Sequence, residues 1–171
     1  MSQTIRDADV AIVGMSGRFP DAVTIEQFWQ NLCAGKASTR QLSPEEMRKT
    51  GVPASFIAHP NYVPLISSPH NVAAFDPAFF FFFPRDATLM DPQHRVFLEI
   101  CWEALERAGH TGADYEGSIG VFAGCGLSTY LLANVAAEQE ILQSTEYHRV
   151  ILGNDKDFLA TRISYLFNLH G

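Results

Sequence analysis

The sequence is short of positive charge. Twelve Lys and Arg stand against nineteen Asp and Glu, a formal net charge of −7. A nucleic-acid groove needs a basic stripe, so no nucleic-acid partner is expected. Cysteine is scarce as well: Cys33, Cys101 and Cys125 lie far apart with no C-x-x-C pair. That spacing argues against a zinc site or a disulfide framework and fits reduced thiols in a cytoplasmic protein. The opening MSQTIRDADVAIVG has no basic stretch followed by a long apolar one, so it does not read as a secretory leader. No apolar run approaches the roughly 20 residues of a membrane helix, and no membrane partner is expected. Internal repeats are missing, and FFFFF at 79–83 is the single low-complexity tract. What is present is globular: 171 residues, 47% hydrophobic and 18% charged, enough to bury a core and too apolar for disorder.

Along the chain, residues 1–8 read as a tail and 9–171 as one domain. Asp9 to Val13 (DVAIV) is a β-branched apolar run stopped by Gly14, the pattern of a buried strand. Thr24 caps a helix, with Gln27 completing a capping box, Phe28, Trp29 and Leu32 facing inward and Gly35 ending it. Residues 36–77 carry six of the nine prolines and read as a long irregular insertion, with a short helix opening at Pro44-Glu45-Glu46-Met47. Asp91-Pro92 opens the clearest helix, with Asp91 as N-cap and Pro92 at the first helical position. Val96, Phe97, Ile100, Cys101, Ala104, Leu105 and Ala108 recur at helical spacing up to Gly109, apolar on both faces and so expected to be covered on most sides. Ser118 to Ala123 (SIGVFA) is a second core strand, followed by the turn Gly124-Cys125-Gly126. Thr129 to about Gln143 is helical, with Leu131, Leu132, Val135 and Ile141 apolar, and Asn154 caps a last helix carrying Phe158, Leu159, Ile163, Leu166 and Phe167. Strands alternating with helices imply an α/β fold with a mainly parallel sheet.

Candidate chemistry is thin. Gly14-x-x-Gly17 after a strand faintly resembles a dinucleotide loop, but it is not G-x-G-x-x-G and Phe19-Pro20-Asp21 separates it from the helix. A structural turn is the default. Cys125, between two glycines at a strand end, could present a thiol, yet a nucleophile needs a base in reach, and nothing in the spacing places His148 or His170 there. A small apolar filler is the plainer reading. His94, in the first turn of the long helix, and Arg95 are read as hydrogen-bonding groups that tie loop to helix. An unalternating run such as Phe79–Phe83 buries both faces, so core or a contact between subunits is expected.

Taken together, four stretches carry more. VAIVGMSGRFP, FDPAFF…PRDATLMDPQHRVFLEICWEALERAG, GVFAGCG and GNDKDFLATRISYLFNLHG occur in this order from Asp9 to Gly171. They resemble the N-terminal half of a β-ketoacyl synthase, the ketosynthase domain of modular polyketide synthases and hybrid peptide–polyketide synthases. The resemblance implies a thiolase-like fold of two similar α/β halves, usually homodimeric. It implies a decarboxylative condensation in which a cysteine takes an acyl chain from the phosphopantetheine arm of an acyl carrier protein, alongside other synthase domains. It implies no bound cofactor and no metal.

The resemblance places no catalytic residue here. The family's nucleophile sits in a T-A-C-S-type elbow after N-L-x-G-P-S, beyond Asn168-Leu169-His170-Gly171, and both histidine motifs belong to the other half. The chain alone is therefore expected to be inactive, as the N-terminal portion of a condensing enzyme; the alternative is a non-catalytic dimerisation or docking module, or a relic. The resemblance puts Cys125 and Leu127 in a turn near the acyl pocket, and Asn154 to Phe158 near the pocket and dimer interface. It makes Asp91, Pro92, Gln93, His94 and Arg95 a structural signature. One departure stands out: the family pattern is roughly F-F-G-x-S-P-R, and here Phe81 and Phe83 replace the glycine and the small polar residue. Phenylalanine lacks the glycine's freedom at positive φ.

Overall fold

The computed structural model describes residues 9–49, 51–110, 115–136 and 146–171. The expected tail at 1–8 and the expected helix beyond residue 136 lie outside the described residues. The chain divides into two compact units, residues 17–71 and residues 72–171 with the segment before residue 17.

In the 17–71 unit, helix α1 spans Ile25–Cys33. The Thr24 hydroxyl accepts from the Gln27 amide at 3.2 Å, and the Gln27 side chain accepts in return from the Val23 amide at 3.1 Å. The reciprocal bond thus reaches one residue further back than a standard capping box. Gly35, at φ +62°, follows the helix, as expected. Only part of the inward stripe is inward: Phe28 stacks on Phe19 with ring centroids 3.9 Å apart, while Trp29 and Leu32 are exposed. A nine-residue helix in a proline-rich unit has too little chain around it to cover a wide apolar face. Strand β1 (Arg40–Gln41) pairs antiparallel with β2 (Leu65–Ile66), Arg40 opposite Ile66. Helix α2 (Pro44–Lys49) starts on a Ser43–Glu46 capping box, bonded both ways at 3.2 and 2.9 Å, and α3 is a single turn, Ala54–Ile57. The insertion read as irregular holds this small framework.

In the other unit, α4 (Pro84–Leu89) leads at once into α5 (Pro92–Ala108). A π-helical turn occupies Leu131–Val135, then α6 spans Tyr147–Asn154 and α7 Phe158–Leu166. The signals that bound α5 act as expected. The Asp91 carboxylate accepts from the Gln93 amide at 2.7 Å, Pro92 stands at the start, and Gly109 closes in the left-handed region at φ 71°. Phe80, Met90, Leu98, Ile163 and Leu169 form the main core, and Leu89, Val135 and Val150 a second. On α5 itself, His94 and Leu98 are buried; most of its other apolar positions are half-covered rather than enclosed.

Two sequence expectations are corrected here. Asp9–Val13 and Ser118–Ala123 form no ladder; the one sheet among the described residues is the β1–β2 pair. Val10 is 94% exposed and Phe122 98%. Both segments have the composition of strands covered on two faces, and among the described residues of this unit no neighbouring strand covers them. Among the described residues one backbone bond, from the Ile119 amide to the His170 carbonyl at 3.2 Å, ties the second segment down. Gly14 shows how closely the first runs over α5: a Cβ there would sit 2.5 Å from the Ala104 carbonyl oxygen. The second correction concerns the phenylalanines. The run is turn at 79–81 and irregular at 82–83, not a strand or a core helix, and it alternates: Phe80 is buried and Phe82 half-buried, whereas Phe79, Phe81 and Phe83 are exposed.

Candidate functional site

The turn from Leu89 into α5 ties several segments of the chain together. The Asp91 amide donates to the Gly153 carbonyl at 3.0 Å, joining this turn to α6. Gln93 uses its side-chain carbonyl to accept from the Gly126 amide at 3.1 Å, holding the turn that contains Cys125. His94 is 1% exposed. Its Nδ1 lies 3.0 Å from Nη1 of Arg162 and its Nε2 lies 4.0 Å from Sγ of Cys125. Arginine only donates, so Nδ1 must accept and the ring proton resides on Nε2, directed at the sulfur. Arg162 also donates to the Leu152 carbonyl.

Asn154 completes the arrangement. It ends α6 rather than capping α7, whose N-cap is Asp157. Its amide donates to the carbonyls of Leu89 (2.7 Å) and Val150 (2.8 Å), and its oxygen accepts from the Ser128 hydroxyl at 3.1 Å. Ser128 in turn accepts from the Leu131 amide at 3.1 Å, setting the start of the π-helical turn. A capping asparagine would sit at the surface; burial, with its amide and its oxygen both bonded, makes this one a joint between three segments.

The electrostatics decide what the Cys125–His94 pair can do. Burial, and then the neighbouring Arg162 guanidinium, push the His94 pKa down to about 4. Burial, and then the Asp91 carboxylate, push the Cys125 thiol up. At neutral pH the imidazole is neutral and turns its N–H toward a protonated sulfur. A nucleophile–base pair needs the reverse, a ring lone pair facing the thiol or a thiolate beside a cation. Cys101 is pushed to about 11 by burial alone and is packing.

The three residues placed near an acyl pocket are not gathered in one place. Phe158 lines an apolar cleft of about 420 Å³ between α4, α6 and α7, with Phe82, Met90, Leu152, Tyr165 and Leu166. Cys125 stands on the other side of His94 and is not part of its lining, and Leu127 is 80% exposed. The signature residues do come together: Asp91, Gln93 and His94 all bind other segments, and Arg95 lies with its guanidinium 5.9 Å from the centre of the Tyr130 ring. Among the described residues no group of three or more His, Cys, Asp or Glu is placed to hold a metal. Sequence reasoning misses Arg162 and Ser128. Arg162 has a signal, a cation inside the apolar run FLATRISYL; Ser128 has none, because its partner is 26 residues away.

Known proteins give the chain its family. The chain matches the beta-ketoacyl synthase N-terminal domain over residues 7–171. It is 42% identical to a phenolphthiocerol/phthiocerol polyketide synthase protein of Mycobacterium tuberculosis across 98% of its own length, and it spans 12% of that protein. Its structure resembles ketosynthase twelve of the bacillaene polyketide synthase of Bacillus amyloliquefaciens with a TM-score of 0.75 at 33% identity, covering 94% of this chain and 28% of that one. The ketosynthase from module 1 of the bacillaene synthase of the same species gives 0.76 at 31% identity, covering 94% and 27%. The thiolase-like assignment therefore holds although the expected strands are unladdered: the chain belongs to the β-ketoacyl synthase family.

Proposed function

We infer that this chain is the structural N-terminal portion of a polyketide-type ketosynthase, and that it frames the condensing site without supplying the reacting groups. In the complete domain, acyl chains pass from carrier-protein phosphopantetheine to a cysteine and are extended by decarboxylative condensation. The observation that carries this reading is the state of the Cys125–His94 pair. It is the one thiol–imidazole contact among the described residues, and its proton inventory is that of a packing contact. Neither of the other cysteines is set up to react: Cys33 is a surface residue and burial holds Cys101 protonated. The partners of this reading are an acyl carrier protein, other synthase domains and a second copy of the domain, in the cytoplasm. Among the described residues no helix is long and apolar enough to cross a membrane.

The test is direct. Purified chain is incubated with an acyl thioester and a malonyl thioester, and intact-mass spectrometry reads both the protein and the products. Neither acylation of Cys125 nor a β-ketoacyl thioester is expected. A Cys125 adduct that disappears in Cys125→Ser, or condensation product from this chain alone, overturns the reading. A docking role is the second reading, favoured by the exposure of the apolar side chains of Val10, Ile12 and Phe122.

A further inference from the structure

The cleft that Phe158 lines holds two arginines and one carboxylate, so one cation is left without an anion. Arg162 stands at its wall, half-buried, with two of its donors given to the His94 ring and the Leu152 carbonyl, both neutral groups. No carboxylate pairs with it among the described residues. The other arginine of the cleft differs: Arg149 is neutralised by Asp86 at 2.9 Å. A partly desolvated guanidinium without a counter-charge is costly unless something anionic completes it, and three of its five N–H donors remain. Apart from the Arg149–Asp86 pair, Thr161 and Tyr165, the lining around it is apolar, from Phe82, Met90, Leu152, Phe158 and Leu166, and about 420 Å³ lies within the range of small-molecule sites. A bare inorganic anion would gain nothing from those side chains. A neutral chain would leave the charge uncompensated.

We propose that this cleft binds a medium-chain carboxylate, with its alkyl tail along Phe82, Met90 and Phe158 and its head group on Arg162. Charge complementarity selects the head and the apolar lining selects the tail. A planar guanidinium with free N–H groups suits a two-oxygen acceptor better than a point cation would. The site goes beyond the condensation reading, because a free carboxylate is not a thioester and nothing in its binding requires an elbow cysteine.

Isothermal titration of the full 171-residue chain with decanoate and with 1-decanol, at pH 7.5 and below micellar concentrations, separates the two contributions. Decanoate is expected to bind at least tenfold more tightly than the alcohol. Shortening to octanoate should weaken binding about fourfold for each methylene removed. Arg162→Gln should bring acid and alcohol to equal affinity, and Arg162→Lys should restore part of the difference. Should Arg162→Gln fail to fold, the acid–alcohol pair on the unaltered chain still decides. Equal affinity for both compounds, no binding of either, or binding without chain-length dependence would each overturn the proposal. The acylation test reads Cys125 and is independent of all three outcomes.

Discussion

The two ends of FFFFFPRDATLMDPQHR, residues 79–95, behave in opposite ways. At the His-Arg end, the polar groups of Asp91, Gln93 and His94 reach partners on three other segments, and the imidazole is enclosed. At the phenylalanine end, three of five large apolar side chains stand in water, and one of them adopts a backbone conformation that suits glycine. Hydropathy alone would rank the ends the other way. A buried place is thus specified by partners as much as by apolarity: a polar group whose hydrogen bonds are met can be enclosed, and a run of rings without facing surfaces cannot.

The sharpest break of this contrast is a cavity under the well-connected end. Leu98 is fully enclosed, one turn beyond His94. Leu98→Ala should cost about 3 kcal/mol, within the usual span for buried leucines, and should lower the urea midpoint accordingly. A loss below about 1 kcal/mol would show that α5 is loosely packed there. Next comes pH. The folded His94 has a pKa of about 4, below the 6.5 of an exposed histidine. Between those values the unfolded chain binds a proton that the folded chain does not, so stability falls as pH drops from about 6.5 to 4 and is unaffected by this group above that window. The full difference is roughly 3 kcal/mol. His94→Gln should remove most of this pH slope while carboxylate titration below it remains; equal slopes in both proteins would refute the enclosed neutral ring.

Legibility follows the same divide. The start, cap and end of α5 are readable because Asp91, Pro92 and Gly109 act locally, through the backbone within one turn. Thr24 and Gly35 are informative for the same reason. The family is legible from the order of four motifs, which composition cannot supply. Asn154 misleads because an asparagine before a helix is a fair cap candidate, and only the approach of Leu89, 65 residues earlier, shows its real task. The His94–Arg162 contact spans 68 residues and is invisible in the sequence for that reason. Strands are expected at Asp9–Val13 and Ser118–Ala123 from side chains that want cover, and side chains cannot report whether cover is there.

Smaller effects sharpen the phenylalanine end. Phe81 sits at φ 60° and is 88% exposed, so its ring contributes little packing and its Cβ opposes the backbone. A left-handed non-glycine residue costs roughly 1–2 kcal/mol, of which glycine's extra freedom in the unfolded chain returns part. Phe81→Gly should therefore stabilise the protein by about 1 kcal/mol, read as a higher urea midpoint. Destabilisation would mean that the exposed ring has a partner, and the contrast between the two ends would need redrawing.

The smallest effect lies two residues on. Phe83 is the N-cap of α4, with φ −69° and ψ 144°, and its side chain makes no cap bond. Its carbonyl already accepts from the Ala87 amide at 3.1 Å, so the first turn is formed and the backbone already has the extended shape that a capping serine uses. A serine there would offer an oxygen to the amides of the first turn. Because α4 is only six residues long, is joined to its surroundings by Arg85–Glu146 and Arg149–Asp86, and loses a partly covered ring in the exchange, the gain should be modest. Phe83→Ser is expected to add about 0.5 kcal/mol. Combined with Phe81→Gly the two gains should fall short of their sum, since the positions are neighbours in one turn. A double variant less stable than the parent would show that the rings at 81 and 83 hold this turn together rather than strain it.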